Sequence, residues 1–134
     1  MRPMKIVVTG SNGFLGRHLM PVLRAAYPRD QVIGLARQDY DLMDQTQVRQ
    51  LFLDFKPDIL IHLAAYSGGI GVNSRCPADF YHQNILLQAL MFRAAAEHGV
   101  RKLIYPIGGC SYPADAKSPI DEDQMWNGYP QVES

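Results

Sequence analysis

Four short runs of branched apolar residues punctuate the 134-residue chain: Lys5 to Thr9, Gln31 to Ala36, Asp58 to Leu63 and Lys102 to Ile107. Their apolar positions do not alternate cleanly with polar ones. That is the pattern of strands covered on both faces, and hence of a parallel sheet. Between the runs, apolar residues recur at helical spacing. Phe14, Leu15, Leu19, Val22, Leu23 and Ala26 predict a first helix buried along that stripe. Pro21 within it cannot donate to the Arg17 carbonyl and predicts a kink. A second helix is expected from about Thr46 to Phe55, with Asp44 or Gln45 near its start. The third and longest has Pro77 in its first turn, carries Phe80, Leu87, Met91 and Ala94 on one face, and ends at Gly99. Strands alternating with helices in this way predict an α/β fold, a Rossmann-like doubly wound parallel sheet with its ligand at the carboxyl ends of the strands.

From Tyr112 onward the pattern changes. Pro113, Pro119, Gly128 and Pro130 interrupt a polar stretch carrying Asp115, Asp121, Glu122 and Asp123. The expected division is therefore a nucleotide-binding part at 1–112 and an irregular tail at 113–134 with no element able to hold its own shape. At 134 residues and 47% hydrophobic content, the chain has enough material for one core and too little for two ordinary domains. Thirteen basic and thirteen acidic residues cancel, which argues against a nucleic-acid or membrane-surface partner and favours a small molecule. Cys76 and Cys110 have neither disulfide-framework nor metal-ligand spacing, and the first residues lack the apolar core of a signal peptide. A reducing, cytoplasmic setting is expected. The longest apolar stretch, Ile59 to Ala65, falls far short of the roughly 20 residues that span a bilayer.

Candidate chemistry begins at the end of the first run. Gly10, Ser11, Asn12, Gly13, Phe14, Leu15 and Gly16 lie between a predicted strand and a predicted helix. The first glycine permits the turn, the second lets backbone approach a pyrophosphate, and the third lets helix pack close to strand. Helix N–H groups and the positive dipole end then face the anion. A dinucleotide site must also read the ribose 2′ position. An acidic residue at the end of the second strand would hold a 2′-hydroxyl, whereas this chain places Arg37 there, suited to a 2′-phosphate, so NADP is favoured over NAD. Asp39 and Asp41 pull the other way, since either carboxylate has a ribose within reach.

With the glycine turn, Asp41-Leu42-Met43-Asp44 and His62-Leu63-Ala64-Ala65 together, the sequence resembles the extended short-chain dehydrogenase/reductase, or NAD-dependent epimerase/dehydratase, family. Ser67-Gly68-Gly69-Ile70, Pro77-Ala78-Asp79-Phe80, Gln83-Asn84 and Cys110-Ser111-Tyr112-Pro113 bring it closest to the branch of GDP-L-fucose synthases, NADPH-dependent epimerase-reductases. The resemblance implies that Asp41 and Leu42 lie against the adenine, that Leu63, Ala64 and Ala65 lie under its ribose, and that Ile107 and Gly108 also reach the cofactor. It implies an epimerisation acid/base at Cys110, and a helix asparagine at Asn84 near the catalytic group. His62 reads as a core histidine. Gly68, Gly69 and Gly71 read as a flexible turn after the third strand.

Two positions depart from the family pattern. Gly108 stands where the family has its catalytic serine, and Ser111, expected on a strand and pointing away from Cys110, is no obvious substitute. No tyrosine is followed four residues later by lysine, the pair that donates the proton and holds the ribose: Tyr129 is followed by Glu133. The expected function is accordingly the NADP-binding part of a nucleotide-sugar epimerase/reductase, the amino-terminal portion of a longer enzyme that homologues imply is a homodimer. A non-catalytic NADP-binding module, or an NAD-dependent epimerase or dehydratase of another nucleotide sugar, are the alternatives.

Overall fold

A computed structural model describes residues 2–130. These form two compact units, one of residues 2–67 with Ala78–Tyr105, the other of Gly68–Pro77 with residues 106–130.

The first unit is a four-stranded parallel sheet in the order β2-β1-β3-β4. Its strands are β1 (Lys5–Thr9), β2 (Gln31–Leu35), β3 (Ile59–His62) and β4 (Lys102–Ile104). β1 pairs with both β2 and β3, so Thr9 lies beside Leu35 on one side and His62 on the other. Strand alternation sends β1 and β3 side chains to two separate cores. On one face Val7 and Leu60 meet Val48, Leu51 and Phe52 of α2 (Gln45–Phe55) and Met91, Ala94 and Ala95 of α4 (Pro77–Glu97). On the other, Ile6, Val8 and Ile61 meet Met20, Leu19 and Leu23 of α1 (Phe14–Ala26). Helices thus cover both faces, which is why the strands read as continuous apolar runs.

Several expected details shift. Leu19 and Leu23 turn inward as expected, joined by Gly16 and Met20, but Phe14, Leu15, Val22 and Ala26 do not belong to the buried stripe of α1: all four are exposed. The reason is Gly16, whose lack of a side chain lets the helix lie flat on the glycine turn and so selects which face meets the sheet. α1 runs continuously through Pro21. α2 starts one residue early because the Asp44 carboxylate accepts from the Thr46 amide at 2.7 Å, an N-cap. β4 stops at Ile104 and not Ile107, since Pro106 brings no ladder donor.

In the second unit, the expected turn at Gly68, Gly69 and Gly71 is a six-residue helix, α3 (Ile70–Arg75). The expected strand around Cys110 and Ser111 is a 3₁₀ turn, Gly109–Ser111, so alternation does not separate those two side chains. The tail holds more shape than expected. Residues Glu122–Trp126 form a second 3₁₀ turn capped by Asp121, and Pro113 and Pro130 form an isolated antiparallel bridge. The Gln124 side chain accepts from the Lys117 amide at 2.7 Å and donates to the Lys117 carbonyl at 3.0 Å, closing the loop between them. Residues 131–134 of the expected tail lie outside the described residues.

Candidate functional site

The carboxyl ends of β2, β1 and β3 border a cavity of about 570 Å³, within the range of small-molecule and cofactor sites. It sits where the chain leaves β1 in one direction for β2 and returns on the other side for β3, the switch point at which open α/β sheets bind ligands.

The glycine turn forms its floor. Gly10 takes a φ of +70°, and a side chain there would stand 2.8 Å from the Ala64 amide nitrogen, so the ends of β1 and β3 touch only because residue 10 has none. A Cβ on Gly16 would lie 2.3 Å from the Gly10 carbonyl oxygen and 2.6 Å from Ser11 Cα. No side chain caps α1 and no acid stands in its first turn. Its first-turn N–H groups and positive dipole end are thus left for an anion. Asn12, Gly13, Phe14 and Leu15 line the cavity with Gly10 and Gly16. Ser11 does not. Its amide donates to the Leu35 carbonyl at 3.0 Å and its side chain is buried against Gly34.

The wall beyond β2 carries Arg37, Asp41 and Leu42, joined by Gln38, Tyr40 and Met43, which the sequence did not single out as ligand contacts. Arg37 makes no hydrogen bond or ion pair among the described residues. The nearby carboxylates are engaged with their own backbone: Asp39 accepts from the Ala36 amide at 2.7 Å, and Asp41 from the Met43 amide at 3.0 Å. Tyr40 donates its hydroxyl to Asp54 at 2.7 Å, and that bond pushes its pKa up to about 12. The phenol is therefore a fixed donor and no proton acceptor at neutral pH.

The opposite wall is the loop after β3. Leu63, Ala64 and Ala65 line it together with Tyr66. Asn84, half-buried on α4, fastens this loop: its Oδ1 accepts from the Tyr66 amide at 3.0 Å, and its Nδ2 donates to the carbonyls of Tyr66 and Phe80, both at 2.9 Å. All the hydrogen-bonding directions of its amide group that these bonds use point into backbone, so within the described residues Asn84 is a clamp. His62 is fully buried, as a core histidine should be, and burial pushes its pKa down to about 4. Ile107, Gly108 and Cys110 belong to the other unit, where all three are exposed, as is Cys76. Among the described residues, no three His, Cys, Asp or Glu side chains gather to hold a metal ion, and no helix is long and apolar enough to cross a membrane.

The sequence pattern of the NAD dependent epimerase/dehydratase family matches residues 6–131. The chain belongs to that family. Among its members, a probable GDP-L-fucose synthase of Drosophila melanogaster is 34% identical over 127 residues, covering 94% of this chain and 40% of that protein. The GDP-L-fucose synthase of Sinorhizobium fredii is 35% identical over 125 residues, 92% of this chain and 39% of its own length. The chain thus spans about two fifths of these epimerase/dehydratase relatives. A crystal structure of a GDP-L-fucose synthetase from Naegleria fowleri bound to NADP superposes with a TM-score of 0.83 at 26% identity, over 98% of this chain and 39% of that one.

Proposed function

We propose that this chain is the NADP(H)-binding portion of a nucleotide-sugar epimerase/reductase of the GDP-L-fucose synthase kind. The observation that carries the cofactor choice is Arg37, set in the cavity wall without a partner while the carboxylates of Asp39 and Asp41 are turned onto neighbouring amides. A guanidinium left free at the end of β2 suits a 2′-phosphate; a ribose 2′-hydroxyl would call for a free carboxylate there. In this reading Gly10, Asn12, Gly13, Phe14, Leu15 and Gly16 cradle the pyrophosphate, and Ser11 shapes that turn from behind. Asp41 and Leu42 flank the adenine, and Leu63, Ala64 and Ala65 lie beneath its ribose. The match to NADP-bound and GDP-sugar relatives supports it.

When bound, the dinucleotide supplies a hydride for a sugar carbonyl. The residues of this chain bind and orient it and keep water from the cavity floor. In the whole enzyme Cys110 serves as an epimerisation acid/base, with Ile107 and Gly108 near the cofactor. No tyrosine of these 134 residues is followed four residues later by lysine, and the reading assigns none of them as proton donor for the reduction. Titration with NADPH and NADH, in wild type and Arg37→Ala, tests the reading. Loss of one charge-assisted contact weakens NADPH binding about 10-fold or more and leaves NADH binding unchanged. Equal weakening for both cofactors refutes the 2′-phosphate role.

A further inference from the structure

His62 is a fully buried titratable side chain that does not itself line the cavity, although Thr9, its partner across the sheet, and Leu63, which follows it, do. Its Nδ1 lies 2.7 Å from Thr9 Oγ1, across 53 residues of chain, and its Nε2 is buried without a partner among the described residues. Thr9 Oγ1 in turn accepts from the Ala64 amide at 3.4 Å. Both Thr9 and Ala64 line the cavity. The ring packs against a pair of aromatic rings that touch each other, Tyr105 stacked on it at 5.8 Å and Phe92 edge-on at 6.4 Å.

Counting donors and acceptors decides the tautomer. If Nδ1 carried the proton, it would donate to Thr9, and two buried groups would then be stranded: the Thr9 hydroxyl proton and the Nε2 lone pair. With the proton on Nε2, Thr9 donates to Nδ1 and only the Nε2–H lacks a partner. One unpaired buried polar group costs less than two. The bonds then run in one direction, from the Ala64 amide to Thr9 and from Thr9 to His62.

We propose that His62, as the neutral Nε2–H tautomer, is a positioning residue: through Thr9 it fixes the Ala64 amide, and so locks the glycine turn at the end of β1 to the loop that follows β3. The lock acts where the two loops already touch, at Gly10 against Ala64. An imidazolium would present N–H at both ring nitrogens and drive the Thr9 hydroxyl round. Tyr105 is the titratable group stacked on the ring. The consequence for the dinucleotide rests on the function proposed above, whereas the lock itself does not.

Four variants test it in the 134-residue chain, read by the ¹⁵N signature of the imidazole, hydrogen exchange at the Ala64 amide, NADPH titration and thermal melting. Wild type should show an Nε2–H imidazole at pH 7. His62→Phe keeps the aromatic stack and loses the acceptor. It should speed Ala64 exchange and weaken NADPH binding by about 3- to 10-fold, the worth of one neutral hydrogen bond. Thr9→Val should do the same, and the double variant should be no worse than either, because both remove one lock. His62→Asn returns an acceptor near the Nδ1 position and should restore slow Ala64 exchange, even where its melting temperature stays low. An Nδ1–H tautomer, or Ala64 exchange in folded His62→Phe as slow as in wild type, overturns the proposal. Should wild type fail to bind NADPH, the cofactor reading falls, and the tautomer and the exchange rates still decide on the lock.

Discussion

Gly16→Ala sets two known effects against each other in one residue. Alanine is the better helix former, by up to about 1 kcal/mol within a helix interior. Against that, the added Cβ would stand 2.3 Å from the Gly10 carbonyl oxygen and 2.6 Å from both Cα and the carbonyl oxygen of Ser11. Ordinary contact begins near 3.4 Å, so α1 or the turn must yield by about 1 Å, far up the repulsive wall. All three obstacles are backbone, and no rotamer change relieves them. The turn cannot retreat either, because Gly10 already abuts the Leu63–Ala64 peptide. Overpacking of this kind costs about 1 to 3 kcal/mol and outweighs the propensity gain. Urea melts should therefore show net destabilisation of about 1 to 2 kcal/mol, and NADPH titration should show a larger loss than stability alone implies, since the displaced atoms belong to the turn proposed to cradle the pyrophosphate. A Gly16→Ala chain as stable as wild type, with unchanged NADPH affinity, refutes the close packing on which the site is built.

Further outcomes follow from the buried polar groups and the loop clamp. Asp58 is buried, and its carboxylate accepts from the Lys5 amide at 2.9 Å and from Arg2 at 2.7 and 3.1 Å, with Arg101 at 3.3 Å. The Lys5 bond foremost, and the two guanidiniums after it, hold its pKa below 3.8 against the opposing effect of burial. Asp58→Asn should cost about 1 to 3 kcal/mol at pH 7 in a denaturant melt, mostly from the amide bond, because Arg2 and Arg101 are solvent-exposed. A folded pKa below the unfolded one means that this contribution is present above pH 4 and disappears as the pH falls through the folded value. His62 titrates near 4 folded and 6.5 unfolded, so the unfolded chain binds the extra proton between those values. Stability should then fall by of the order of 3 kcal/mol as pH drops from 7 to 4, and His62→Asn should flatten that slope in urea melts across the window. Asn84→Ala removes three bonds to the backbone of Tyr66 and Phe80. It should destabilise by about 1 to 2 kcal/mol and raise hydrogen exchange at the Tyr66 amide above that of β3.

Local signals were enough for the parallel sheet, the glycine turn and Arg37. Branched apolar runs tell of strands buried on both faces, and glycine at position 10 tells of a backbone that no side chain would permit there. These are properties of a few adjacent residues, so a linear reading recovers them. Which way α1 faces is a different kind of fact. Phe14, Leu15 and Val22 carry the apolar character of a core stripe, yet Gly16 brings the helix down on the turn in an orientation that leaves them exposed. The same holds for α3, where three glycines suggested a loop and a six-residue helix formed.

The chemistry around the cavity belongs almost wholly to tertiary structure. Nothing near residue 62 in the sequence reveals that its ring will meet Thr9; only the parallel β1–β3 register sets Thr9 beside His62. Asn84 likewise gains its clamp because α4 passes the loop after β3, 18 residues away. Arg37 was visible as a cation at a strand end. That it is free, while Asp39 and Asp41 each accept from an amide of their own turn, rests on local bonds spanning three and two residues, which the side-chain rotamers of the folded turn decide. Backbone permission and apolar run length are written in order along the chain, whereas hydrogen-bond partnership and helix facing depend on neighbours that the fold alone brings together.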